Sequence, residues 1–154
     1  MVVIHFPDLL MTLYSTPFET FNTTCQESGL EAALEGLANS LIDQQRLHEL
    51  FEIRKLQLRQ RLGLPIEQWQ AIDELDSEQG EALERGLLTI CREVGTRFLE
   101  SGEVMQGWQY WEPVGDRPAV AALLRNVEIT DENVEEVIQL SMGQAIEPEL
   151  GFRL

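Results

Sequence analysis

Apolar residues recur every three or four positions along most of this chain, the spacing that lines one face of an α-helix. The clearest run covers residues 81–111, where the apolar pattern stops at Gly102 and resumes at Val104. Glycine readily takes the left-handed backbone conformation that ends a helix. The pattern therefore predicts two helices that fold back on one another.

Similar stripes predict helices before and after this pair. Residue types that cap or open helices mark where they begin: Ser28 with Glu31 as a capping box, Asp76 or Ser77, Asp116 before Pro118, Thr130 with Asp131, and Glu147 before Pro148. Residues 1–27 carry no continuous pattern and are expected to form an irregular N-terminal arm. Phe18 and Phe21 of this arm are expected to dock on the helices. An all-α fold follows, with one helical domain over residues 28–154.

The chain contains an internal repeat. Residues 37–53 match residues 94–110 in residue class at nearly every apolar position, at an offset of 57 residues. Two copies of one hairpin unit explain the match. We expect hairpins at about 28–63, 77–112 and 116–154.

The second copy resembles the tetratricopeptide class of helical hairpin repeats. A small residue follows an apolar one at Val94-Gly95, a large apolar residue comes at Phe98, and Gly102 and Gly107 occupy the turn and the second helix. The first copy departs from the pattern at Gln45, where the turn glycine would stand, and at Leu50. The 57-residue spacing also exceeds the usual spacing of about 34 residues. The resemblance implies a tetratricopeptide-like array, as part of a larger helical-repeat protein.

The resemblance also implies a function, a protein-interaction or scaffold module without catalysis. In this class, first-helix residues outside the hairpin core line a groove for a peptide or a partner helix. Carried onto this sequence, they are Glu35, Asn39 and Ile42 in one unit and Arg92, Thr96 and Leu99 in the other. Tyr110, which points away from the face shared by Trp108 and Trp111, is a further candidate contact.

The net charge of the chain argues against two classes of partner. The 27 acidic against 11 basic residues leave a net charge of -16, which repels nucleic-acid phosphates and anionic membranes. The groove is expected to take a basic or apolar protein segment, with no nucleic acid and no membrane as partner. Five bases between Arg46 and Arg61 are expected on a solvated face, alternating with glutamates.

No catalytic, cofactor or metal site is predicted. His48 and Glu52 are spaced like two ligands of an HExxH helix, but His5 is the only other histidine. Nucleotide-cradling glycine loops are absent from the sequence. Cys25 and Cys91 are expected to be reduced thiols. Since no signal peptide or membrane-spanning segment is recognised, a cytoplasmic location is expected.

Two alternatives to an interaction module remain open. The helices could carry an enzyme or metal site completed outside this chain, with His48 and nearby glutamates as candidates. The apolar residues Leu150, Phe152 and Leu154 could instead pair with a second copy in a homodimer.

Glycines within the predicted helices indicate where helices pack closely. Gly86, Gly95 and Gly107 each cost a helix about 1 kcal/mol relative to alanine, so we expect close helix contacts there, with Trp108 or Trp111 against glycine.

Overall fold

The computed structural model describes residues 17–66 and 75–153, and the chain divides into two units, residues 1–46 and 47–154, that are treated separately below. Every regular element in the described ranges is helical, which confirms the all-α prediction. The α-helices are α1 Pro17–Ser28, α2 Leu30–Asp43, α3 Leu47–Arg61, α4 Ser77–Glu100, α5 Val104–Trp111, α6 Arg117–Leu124, α7 Val134–Ile138 and α8 Pro148–Gly151. A 3-10 turn, Glu112–Val114, follows α5, and a π-helical turn, Gln139–Gly143, follows α7.

The first unit is built from α1 packed on α2. The helix α1 corrects the prediction of an irregular arm for residues 17–27, whereas residues 1–16 lie outside the described part. Proline is tolerated in a first helical turn, and the Thr23 hydroxyl donates to the Glu19 carbonyl at 2.9 Å. That bond keeps the threonine inside the helical pattern. Of the two phenylalanines expected to dock, the side chain of Phe18 is outside the description, and Phe21 is half-buried.

The start of α2 differs from the sequence prediction. Gly29, with φ of 89°, precedes the helix, and no side chain caps it. Ser28 ends α1 instead of opening the capping box with Glu31. Ser28 cannot cap α2 because it is still the last residue of α1. The continuation of α1 therefore overrides the local capping motif.

The turns that follow α2 and α4 have the same backbone hydrogen bonds. After α2, the Arg46 amide donates to the Leu41 carbonyl at 2.9 Å. After α4, the Glu103 amide donates to the Phe98 carbonyl at 2.9 Å, at the positions that the 57-residue offset aligns. These are Schellman-type helix ends, and each needs one left-handed residue. Gly102 supplies it with φ of 85°, but in the first copy Gln45 is forced to φ of 56°.

Gln45→Gly is expected to raise the free energy of unfolding of the first unit by about 0.5–1 kcal/mol. A non-glycine residue in the left-handed region costs about 1–2 kcal/mol, part of which glycine loses again in chain entropy. Urea unfolding followed by far-ultraviolet circular dichroism measures the change. The control is Gln44→Gly, since Gln44 has φ of -87° and should lose stability. Equal effects of the two substitutions would contradict the prediction.

In the second unit, α4 and α5 approach closely through small residues. A Cβ placed on Gly95 would lie 2.6 Å from Cδ1 of Trp111 and 3.0 Å from the carbonyl oxygen of Gly107. A Cβ on Gly107 would lie 2.7 Å from Cγ of Leu99. The expected contact of a tryptophan with a helical glycine is confirmed at Gly95. A Cβ on Gly86 would meet the side chain of Leu58 instead.

Helix α3 packs along the other part of α4, and its basic residues correct one expectation. Arg54 pairs with Glu93 of α4 at 3.2 Å, and Lys55 pairs with Glu52 at 2.7 Å. Arg59 is only 1% exposed, and its Nε donates to the Pro65 carbonyl at 2.8 Å. The long aliphatic stem of arginine can pack as an apolar group, so these bases do not form one solvated face.

The helices after α5 complete a core with it. Side chains from 99 to 146 form this cluster, among them Leu99, Trp108, Trp111, Leu124 and Leu140. The predicted caps Asp76 and Asp116 are confirmed, since their carboxylates accept from Gln79 N at 2.8 Å and Ala119 N at 3.1 Å. Helix α7 begins at Val134, later than the predicted cap at Thr130 and Asp131.

Helices α4 and α5 pack on each other within residues 77–111, and the 77–112 hairpin as a repeat unit stays a prediction. The helices of the 28–63 hairpin, α2 and α3, fall in different units, so this hairpin stays a prediction. The 116–154 hairpin and the tetratricopeptide-like arrangement also stay predictions. None of the described helices combines the length and apolar character needed to cross a bilayer.

Candidate functional site

The first predicted groove set lies on one face of α2. Glu35 and Asn39 are exposed, and Ile42 is half-buried. Their spacing of four and three residues keeps them on a single helical face. These side chains can therefore be reached together from solvent within the first unit.

The second set lies on α4, and its members differ in burial. Arg92 is exposed and Thr96 half-buried, and both border a shallow surface recess of about 390 Å³. Leu99 is 0% exposed and belongs to the core cluster. Its placement in a binding groove is therefore wrong, because α5 presents Gly107 to it and closes over it. The two sets lie in different units and are described separately.

Tyr110 belongs to an aromatic cluster instead of standing alone on the surface. Its ring stacks on Phe98 at a centroid distance of 5.6 Å and lies 5.0 Å from Phe51. Its hydroxyl lies 2.8 Å from Nδ1 of His48, and donates to it in the tautomer that carries the proton on Nε2. Tyr110 is half-buried, so only part of it could contact a partner.

Ultraviolet titration of Tyr110 should give a pKa above the ordinary value of about 10. Burial is the main cause of the raised pKa, and the negative charges of Glu52, Cys91 and Glu49 raise the pKa further. The native state then keeps the phenol proton where the unfolded chain has lost it. The stability that Tyr110 contributes is therefore complete below about pH 10 and declines as the pH rises above that value.

Absorbance at the phenolate band in a Tyr14→Phe background measures this pKa, since Tyr14 and Tyr110 are the two tyrosines of the chain. Glu52→Gln should lower the pKa only part of the way to that of the urea-unfolded chain, because burial dominates. A native phenol that titrates like the unfolded one would contradict the prediction.

His48 and Glu52, which are spaced like two metal ligands, each have another partner in the described structure. Glu52 binds Lys55, and His48 faces Tyr110. Within residues 17–66 and 75–153, no three histidine, cysteine or acidic side chains are placed to share a metal ion. The absence of a cofactor, a metal and catalysis stays a prediction, as does the alternative of a site completed outside this chain.

A recess lined by acids, which the sequence did not point to, lies at the α4–α5 turn. It has a volume of about 350 Å³, and five glutamates border it. This acidic recess is lined by Glu100, Ser101, Gly102, Glu103, Gln106, Glu128, Thr130, Glu132, Asn133 and Glu136. In the described parts of the chain, none of its five glutamates is in a salt bridge.

Two of its residues fix the shape of the acidic recess. Asn133 is 6% exposed; its Oδ1 accepts from the Thr130 amide and its Nδ2 donates to the Glu128 carbonyl, both at 2.9 Å. Glu136 Oε2 accepts from the Met105 amide at 3.0 Å in the first turn of α5. Carboxylates are favoured at that end of a helix. The other four glutamates around the opening are Glu100, Glu103, Glu128 and Glu132, of which Glu103 accepts from the Ser101 hydroxyl at 3.4 Å.

Part of the signal for the acidic recess is visible in the sequence. No lysine or arginine occurs between Arg125 and Arg153, while acids are dense from Glu128 to Glu136. Their meeting with Glu100 and Glu103 depends on how residues 128–136 pack against the α4–α5 turn. Helix periodicity carries no information on that packing.

The apolar residues proposed to pair two copies are only partly at the surface. Phe152 is 78% exposed, Leu150 packs against the core cluster, and Leu154 lies outside the described residues. A homodimer through this edge stays a prediction, and it would form against the repulsion between two chains of charge -16.

Comparison with known proteins adds no relative: no protein-family model, curated protein or solved structure matches this chain.

Proposed function

We propose that this chain is a protein-interaction module that binds a basic segment of a partner protein at the acidic recess. The observation that carries the proposal is the recess itself, about 350 Å³ bordered by five glutamates. Arginine and lysine offer several donors to carboxylates that face one space. The proposal retains the basic partner expected from the net charge. It moves the site from the predicted groove, whose residues lie on α2 and α4, to the α4–α5 turn.

Two further features favour a positive group at this place. The last turn of α4 ends at Glu100, and the carboxyl end of a helix carries partial negative charge that attracts cations. In addition, Glu100, Glu103, Glu128 and Glu132 border one opening. A bound guanidinium or ammonium group has several donors that it can share among such carboxylates.

The expected affinity is moderate. Exposed ion pairs each contribute about 0.2–1 kcal/mol, so several glutamates have to act together on one partner segment. Screening by salt reduces such interactions. Binding should therefore weaken steadily as ionic strength rises, as is typical of transient partners.

Two triple variants of equal net charge test the proposal. In the first, Glu100, Glu128 and Glu132 of the acidic recess are replaced by glutamine. In the second, exposed glutamates of the same unit outside the recess are replaced: Glu78, Glu84 and Glu112. The probe is a short fluorescein-labelled peptide of alternating arginine and glycine, and its dissociation constant is measured by fluorescence anisotropy.

The recess variant is expected to bind the peptide about tenfold more weakly than the parent, which corresponds to about 1.4 kcal/mol. The control variant should stay within about twofold, because both variants lose the same charge and keep the same long-range field. Equal losses in the two variants would show that the peptide responds to overall charge alone, and would reject the recess as a binding site.

A further inference from the structure

The shallow recess on α4 adjoins the acidic recess, and arginines border it. Its volume is about 390 Å³. This arginine recess is lined by Arg92, Glu93, Thr96, Arg97 and Glu100. Glu100 also lines the acidic recess. The two recesses therefore meet at one residue on the surface of the second unit.

The arginine recess has more positive than negative charge. Arg92 is exposed, and among residues 17–66 and 75–153 it forms no ion pair. Glu93 lies 3.2 Å from Arg54 of α3 and 3.8 Å from Arg97. Two arginines thus share the single charge of Glu93. A positive excess remains even when Glu100 is counted against it.

The donors of the arginine recess suit a carboxylate. Guanidinium groups bind carboxylates through pairs of N–H donors, and such charge-assisted hydrogen bonds are stronger than neutral ones. In the part of the chain that the structure describes, the Nε of Arg97 is buried without a hydrogen-bond partner. Thr96 adds a hydroxyl group to the same lining. An acidic side chain that reaches this place therefore meets both charge and donors.

The distance between the recesses sets the kind of segment that reaches both. Arg92, Thr96 and Glu100 follow one another at intervals of four residues, so they form a row along one side of α4. The row is about 12 Å long, at about 1.5 Å of rise for each helical residue. An extended chain covers that distance in about four residues, at about 3.3 Å each.

We infer that this surface selects a partner segment by the order of its charges, with a basic residue in the acidic recess and an aspartate or glutamate about four residues away in the arginine recess. The inference rests on the proposed function and deepens it by specifying the partner. One exposed ion pair is weak by itself. Once the basic residue is bound, however, the linked carboxylate meets Arg92 at a high effective concentration. A uniformly basic segment is instead repelled by Arg92, which adds discrimination.

Charge argues for such a segment over other occupants. A free anion lacks the basic group, so only repulsion acts on its approach to a chain of net charge -16. A second copy of the chain brings another -16 to the same surface. A partner segment that has both signs of charge in the stated order satisfies both recesses.

Two fluorescein-labelled peptides and two charge reversals in the full-length chain test the inference. Both peptides have three arginines alternating with glycine at the centre. One carries an aspartate four residues beyond each end of this centre, so that either direction along α4 is tested, and the other carries lysines at those places. The variant is Arg92→Glu. Its control is Arg85→Glu, at an exposed residue of the same helix that lines neither recess.

Arg92→Glu is expected to weaken binding of the aspartate peptide about threefold to tenfold and to tighten binding of the lysine peptide by a similar factor, as measured by fluorescence anisotropy. Arg85→Glu changes the net charge equally, so it should leave the affinity for the aspartate peptide within about twofold. Both variants should keep the circular dichroism spectrum of the parent. Opposite responses of the two peptides cannot arise from partial unfolding.

Three results would overturn the inference. Equal effects of Arg92→Glu and Arg85→Glu on the aspartate peptide would reject the charge order, and the proposed function would stand if the recess variant still weakens binding of the arginine–glycine peptide. Failure of the recess variant to weaken that peptide would reject the proposed function itself, and this inference with it. A dimer that Arg92→Glu dissociates in sedimentation would identify a second copy as the occupant.

Discussion

Gly95→Ala is expected to lower the free energy of unfolding of the second unit by about 1–2 kcal/mol, although alanine is the better helix former. Alanine in a helix interior gains about 1 kcal/mol over glycine. Here the new methyl group would lie 2.6 Å from Cδ1 of Trp111 and 3.0 Å from the Gly107 carbonyl oxygen. Overpacking of this kind costs about 1–3 kcal/mol and occasionally more. A rigid indole and a backbone carbonyl leave α4 and α5 little freedom to avoid the contact.

Gly86→Ala is the control on the same helix. Its methyl group would meet the end of the Leu58 side chain, which can turn to another rotamer at small cost. That variant should stay within about 1 kcal/mol of the parent. Urea unfolding followed by tryptophan fluorescence measures both variants, since Trp108 and Trp111 are buried in this unit. A Gly95→Ala protein as stable as Gly86→Ala would show that α4 and α5 can separate without loss.

Local patterns predicted most of the helices and several of their ends. The apolar stripe places α4, Asp76 caps it, and Gly102 ends it, because these features depend on neighbours within one turn. The errors have nonlocal or competing causes. Ser28 and Glu31 match a capping box, yet α1 continues through Ser28 and leaves Gly29 to precede α2. For residues 17–28, polar composition concealed a helix.

The candidate sites depended more strongly on packing. Arg92 and Thr96 border a shallow surface recess, and their role in binding stays a prediction. Leu99 lies one turn further along α4, where α5 covers it, so a groove position assigned by repeat alignment became a core position. The acidic recess joins residues about 30 positions apart, and no periodicity relates them.

Leu99→Ala is expected to lower the free energy of unfolding of the second unit by about 2–5 kcal/mol, the range for removing a buried leucine side chain. Leu99 is 0% exposed, and its Cγ fills the space above Gly107. Its loss leaves a cavity that the neighbouring helix cannot close without moving its backbone. Thr96→Ala, at the half-buried residue one turn earlier, should change stability by no more than about 0.5–1 kcal/mol. If Leu99 lined a binding groove instead, its substitution would weaken binding and spare stability.

A double-mutant cycle with Gly107→Ala shows whether the two residues are in direct contact. In the parent, the new methyl group at 107 would lie 2.7 Å from Cγ of Leu99. In the Leu99→Ala background that collision is removed, and only the 3.0 Å approach to the Gly95 carbonyl oxygen remains. Gly107→Ala should therefore cost about 0.5–3 kcal/mol less in the second background, the usual coupling between residues in contact. Additive losses would mean that Leu99 stabilises the unit without resting on Gly107, and that some other group keeps α5 close to α4.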